Sequence, residues 1–176
     1  MDIEKLKYPI GRYQLEDVID KASINNWIKE IESFPKKLTE AVIGLNKEKL
    51  QTPYRPEGWS VQQVVHHIAD SHLNAYVRFK LALTENKPII KPYDEKLWAE
   101  LPDVKVVDVS VSLDLIKALH IRWTTLLKQL NEEELDKEFL HPESGMKNLK
   151  ESISHYAWHG NHHLAQITSL KQRMNW

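Results

Sequence analysis

The chain has 176 residues, enough to bury one sizeable core and too few for two, so a single domain over residues 1–176 is expected. Its 24 lysines and arginines against 25 aspartates and glutamates leave a formal charge of −1, which offers no basic field to nucleic acid and argues against that partner. No apolar run reaches the roughly 18 residues of a membrane span, and the start MDIEKLKYPIGRY lacks the apolar stretch of a secretory signal.

A soluble, cytosolic protein with no membrane association is therefore expected. Zero cysteines remove disulfides, thiolate ligands and cysteine nucleophiles together, so any nucleophile is a water or a bound cosubstrate.

Only five glycines and few alternating β-branched runs argue for an all-α fold. The first helical pattern runs from about Ser23 to Leu45, with Trp27, Ile31, Phe34, Leu38 and Ala41 on one face. Pro35 lies off that face and should bend the helix, because it cannot donate the backbone hydrogen bond there. The second starts at Ser60, where Ser60 and Gln63 form a capping box and Trp59 can staple onto Val64, and continues to about Glu85. The third spans about Ser110 to Leu130 through Ile116, Leu119, Trp123 and Leu127. The fourth spans about Asn148 to Arg173 through Leu149, Ile153, Tyr156, Leu164, Ile167 and Leu170.

Four helices with one apolar stripe each bury those stripes most simply as a four-helix bundle. Residues 86–109, with Pro88, Pro92 and Pro102, are too long for a tight helix hairpin. Extended, they could run the length of a helix of about 30 Å and return the chain to the same end, making the second and third helices parallel. Asp94–Trp98 could add a helical turn to this crossover.

The most informative residues are His159 and His163, four apart in YAWHGNHHLAQ (Tyr156–Gln166). Residues four apart share a helix face, so two imidazoles can converge on one ion. VVHHIAD (Val64–Asp70) supplies a third through His66 or His67. At about 100° per residue, His67 borders the apolar face of the second helix and His66 lies on the opposite side. His155 and His162 lie further round the fourth helix than His159 and His163. His120 borders the apolar face of the third helix and could replace or supplement His67. Three imidazoles without a thiolate suit a borderline divalent ion such as Zn²⁺, with coordination positions left for water or substrate. Nickel from affinity purification could occupy the same ligands. The expected pocket takes Ser71, Asn74 and Arg78 from the second helix, and Ser152 and Gln166 from the fourth. Gly160, costly inside a helix by roughly 1 kcal/mol relative to alanine, suggests close approach of a neighbour. Packing is the expected role of Trp59, Trp123, Trp158, Tyr76 and Tyr156. Asp70, one turn beyond His67, is a surface charge, a partner of a ligand or a general base.

The order GWSVQQVVHHIADSH at Gly58–His72, then PYDEKLW at Pro92–Trp98, then WHGNHHLAQI at Trp158–Ile167, resembles the DinB/YfiT-like superfamily, and most closely its YfiT-type metal-dependent hydrolases. The similarity extends from YPIGRY at Tyr8–Tyr13 to the final RMNW. The resemblance implies a four-helix bundle, a homodimer, and a divalent metal site whose ligands fall on His67, His159 and His163, the three that helical phase selects.

It leaves the reaction open. A metal-dependent hydrolase acting on a small-molecule substrate is the favoured reading. Relatives in the superfamily transfer low-molecular-weight thiols such as bacillithiol, so a thiol cosubstrate on the open metal position is the alternative, with Arg78 orienting it. A non-catalytic metal-binding stress protein is the third. No general base stands out, since Gly160 and Asn161 occupy the place between the paired histidines where an HExxH motif carries its glutamate.

Overall fold

Ser60 accepts from the Gln63 backbone N–H while the Gln63 side chain accepts from the Ser60 N–H, so the expected capping box starts a helix where the sequence places it. The computed structural model describes residues 2–176. In chain order its elements are α1 (Ile3–Lys7), α2 (Lys21–Val42), α3 (Lys47–Gln51), α4 (Val61–Thr84), α5 (Glu95–Trp98), α6 (Pro102–Val106), α7 (Val109–Leu127), α8 (Glu132–Leu135), β1 (Glu138–His141), β2 (Gly145–Asn148) and α9 (Leu149–Met174). The four long helices α2, α4, α7 and α9 are those expected, within three residues at each end. Asp94 caps the short α5 with its carboxylate. Helix α2 runs without interruption through Pro35.

Cross-helix contacts fix the directions. His66 meets Ser112, His72 meets His120, and Phe79 meets Trp123, so α4 and α7 advance together and are parallel. Glu30 pairs with Asn161 and the Ala41 carbonyl with Lys171, so α2 and α9 are also parallel. Lys128 pairs with Glu32, and Arg78 with Tyr156, which sets α7 against α2 and α9 against α4. The bundle is therefore up, down, down, up, and residues 85–108 are the long crossover that a parallel α4 and α7 requires.

One feature departs from a purely helical reading. β1 and β2 form an antiparallel hairpin, Glu138 opposite Asn148 and His141 opposite Gly145, with Gly145 at φ 81°, a conformation glycine adopts freely. The crossover docks on it: the Leu140 N–H donates to the Pro88 carbonyl, and the Ile90 N–H to that of Leu140.

The apolar interior divides in two. One cluster gathers Ile24, Ile28 and Ile31 with Phe79, Trp123, Leu127, Ile153 and Tyr156. The other gathers Phe34, Leu38, Val64, Ile68, Ile116, Ile167 and Leu170. On each long helix the switch between clusters falls beside one position: Ile31 to Phe34 on α2, His72 on α4, His120 on α7, His159 on α9. A polar tier thus crosses the bundle at mid-height, with Gly160 beside it. A Cβ at Gly160 would lie 3.0 Å from the Phe34 ring, the close approach its helical position implied. Among the described residues no helix is long and apolar enough to cross a membrane.

Candidate metal centre

Antiparallel packing of α4 on α9 brings His67 opposite the i, i+4 pair His159 and His163. One ring nitrogen from each of the three lies within 4.8 Å of the others. Ring centroids are 5.4 Å apart for His67 and His159, 4.8 Å for His67 and His163, and 4.6 Å for His159 and His163. His67 and His163 are buried and His159 is partly exposed.

Burial, more than any neighbour, drives the His67 ring down to about 4, with His162 adding to it. Burial also holds His159 and His163 well below the ordinary imidazole range, followed by His163, His72, His67 and His155 around the first, and by His67 and His162 around the second. Three neutral imidazoles aimed at one point present free lone pairs without first releasing protons, which is what a borderline divalent cation requires. The donor set fits such an ion.

Hydrogen bonds orient two of the rings. The His163 Nδ1–H donates to Gln166 Oε1 at 2.9 Å. Gln166 Nε2 donates to the Lys7 carbonyl at 2.9 Å and faces His162 Nε2 at 3.0 Å, so the N-terminal segment helps to fix the amide. His163 therefore offers Nε2. His159 uses Nδ1 on His72 Nε2, 3.1 Å away, and likewise offers Nε2. His67 is held by packing against the Trp59 indole, centroids 4.7 Å apart.

The remaining histidines sort themselves. His66, placed by phase opposite the apolar face, is buried against α7, with Ser112 Oγ at 2.7 Å and the Val107 carbonyl at 3.2 Å. His162 stacks on Trp158, centroids 4.6 Å apart. His120 stands away from the three-histidine group, bonded to His72 and to the Ile31 carbonyl.

The group opens into a cavity of about 500 Å³. Ser71, Arg78 and Gln166 line it as expected; Asn74 and Ser152 do not. Asn74 bonds back to the Asp70 carbonyl and Ser152 to that of Asn148. Asp70 is also outside the lining, and burial raises its carboxyl to about 6. The crossover contributes Tyr93 and Glu95, the hairpin His141 and Glu143, and the N-terminal segment Lys7 and Tyr8. Periodicity carries no information about such segments, which is why these residues escaped it. Arg78 Nη1 donates to the Tyr156 hydroxyl at 3.1 Å, and burial pushes Tyr93 up to about 12, so it remains a hydrogen-bond donor across the neutral range.

His72 carried a signal that phase could have shown: four residues past Ile68 and three before Ala75, it sits in the middle of the apolar stripe of α4.

The DinB superfamily pattern matches residues 30–167. This chain belongs to the DinB superfamily. Similar proteins from Oceanobacillus iheyensis and Bacillus cereus, each named "Putative metal-dependent hydrolase", are 54% identical to it over 97% of this chain and 98% of their own. The solved structure of YfiT from Bacillus subtilis, described as a probable metal-dependent hydrolase with an unusual four-helix bundle topology, superposes with a TM-score of 0.95. It is 48% identical and is matched over 98% of this chain and 99% of that one. The up, down, down, up order is thus shared by a relative of nearly equal length.

Proposed function

We propose that this DinB-superfamily protein is a single-domain metal-dependent hydrolase whose divalent ion, Zn²⁺, is held by His67, His159 and His163. The observation that carries the reading is the convergence of three neutral imidazoles within 4.8 Å at the floor of a cavity. A bound divalent ion supplies Lewis acidity and a water activated towards about pH 7.

The chain's own groups do the rest. His163 is oriented by Gln166 and His159 by His72, so the lone pairs need no reorganisation. Arg55, Arg78 and Lys7 place positive charge on the wall, suited to the anionic part of a small substrate, while Glu95 and Glu143 bring carboxylates able to accept a proton. Tyr93 offers a hydroxyl to a polar substrate group.

The cationic wall also favours a second reading in which the open position binds the thiolate of an anionic low-molecular-weight thiol and the protein transfers it to an electrophile. Zinc-loaded protein assayed on esters, amides and thiol-plus-electrophile pairs separates the two. Ester or amide turnover that is lost in His163→Ala supports hydrolysis; turnover only with thiol establishes transfer; no turnover on any arm leaves a metal-binding protein and overturns both. A soluble cytoplasmic protein is proposed as well, as is the homodimer that the family resemblance implies, which sedimentation would test.

A further inference from the structure

Behind the candidate ligands lies a row of rings that ends on a backbone carbonyl. His159 Nδ1 is 3.1 Å from His72 Nε2, His72 Nδ1 is 2.8 Å from His120 Nε2, and His120 Nδ1 is 2.7 Å from the Ile31 carbonyl oxygen. His72 and His120 are each 1% exposed, so water supplies no alternative partner. A carbonyl oxygen can only accept, which makes the direction of the whole row derivable from its far end.

The Ile31 carbonyl accepts, so His120 carries its proton on Nδ1. A neutral ring has one proton, so His120 Nε2 must accept, and His72 Nδ1 donates to it. By the same rule His72 Nε2 accepts and His159 donates from Nδ1. The lone pair of His159 is left on Nε2, facing His67 and His163. His72 and His120 are buried with only ring nitrogens and a carbonyl as partners and no carboxylate to balance a charge, so each is a neutral ring with one proton.

The end of the row is itself encoded. In an uninterrupted helix the Ile31 carbonyl accepts from the N–H four residues on, but that residue is Pro35, which has none. The mid-helix proline thus leaves a buried acceptor facing α7, and His120 fills it. Phe34 packs over both His120 and His72, centroids 5.6 Å from each, which holds the rings in register.

We infer that His72 and His120 are positioning residues of the metal centre: anchored on the carbonyl that Pro35 vacates, they lock His159 in the Nδ1–H tautomer and present its Nε2 to the cation. Ligand histidines are ordinarily oriented by one carboxylate, carbonyl or water; here two further histidines extend that function across the bundle. The inference rests on His159 being a ligand, and the experiment keeps the two claims apart.

The test uses the full chain in two measurements. Two-bond proton–nitrogen NMR of the zinc-free protein reads the tautomer of each ring, independent of any metal. Nδ1–H is expected at His159, His72 and His120; Nε2–H at any of them overturns the row. Zn²⁺ affinity by chelator competition is then compared for His159→Ala, His72→Leu, His120→Leu and His120→Gln, with unfolding midpoints as the control for fold. Loss of about 10- to 100-fold is expected in His72→Leu. A smaller loss is expected in His120→Leu, recovered in His120→Gln, whose amide can donate to Ile31 and accept from His72. Unchanged affinity in His72→Leu, or no recovery in His120→Gln, refutes the positioning role. Unchanged affinity in His159→Ala instead refutes the ligand assignment while leaving the tautomers standing. Should His72→Leu fail to fold, the wild-type tautomers and the His120 pair still decide.

Discussion

At the scale of single residues, the site depends on keeping imidazoles neutral, and the same burial acts in the opposite sense on a nearby acid. The buried histidines have pKa values depressed below the unfolded value of about 6.5, so their contribution is present above that pH and is lost as pH falls through the window down to about 4. Asp70 runs the other way. Burial, with Asp103 adding to it, raises its carboxyl to about 6, above the unfolded value of about 3.9. Folding therefore favours its protonated form between those values, and that contribution is lost as pH rises through about 6. Asp70→Asn should raise the stability at pH 7.5 by on the order of 1 kcal/mol, after discounting for its partial exposure, and change little at pH 4. Denaturant melts of both proteins at the two pH values check this; an equal effect at both would mean that ionisation is not the cause. That His67, His159 and His163 come together was legible because phase on two helices pointed to one interior. The surroundings of Asp70 were not, because a residue beside a stripe can turn to solvent or to a neighbouring segment, and here Asp103 of α6 is near enough to act on its charge.

At the scale of elements, the crossing of α2 and α9 is set by Gly160 against Phe34. Alanine there would gain roughly 1 kcal/mol of helix propensity, yet its Cβ would press a ring that itself lies against His72 and His120. Overpacking of a well-filled interior costs about 1–3 kcal/mol, so Gly160→Ala should lower the melting temperature rather than raise it. Calorimetry reads the sign directly, and a stabilised variant would show that Phe34 can move aside. The four long helices were readable because each carries a sustained apolar stripe, and α4 also carries its capping box. The hairpin was not: strands of four residues give too short an alternation, and of their residues only Phe139 enters the core. Its role emerges only in three dimensions, where it holds the start of the crossover and brings His141 and Glu143 to the cavity.

At the scale of the whole molecule, two apolar clusters stand on either side of the histidine tier, and both exist without the ion. Trp123 and Phe79 in one, and Leu38 and Ile116 in the other, are among the largest fully buried side chains of the protein. Chelation should therefore lower the unfolding temperature while leaving the far-ultraviolet helical signal intact at room temperature. Collapse of that signal on chelation would mean that the metal holds the bundle together. The parallel pairing of α4 with α7 was legible from the length and prolines of the crossover, whereas the path of the N-terminal segment across α9 was not, because it has no periodic face of its own. The central claim is that His67, His159 and His163 together hold one divalent ion, and metal content by atomic emission tests it most directly. After equilibration with Zn²⁺ and removal of the excess, the wild type, His66→Ala and His162→Ala should each retain about one equivalent, and His67→Ala, His159→Ala and His163→Ala should each lose it. Stoichiometric metal retained by His159→Ala or His163→Ala would contradict the account.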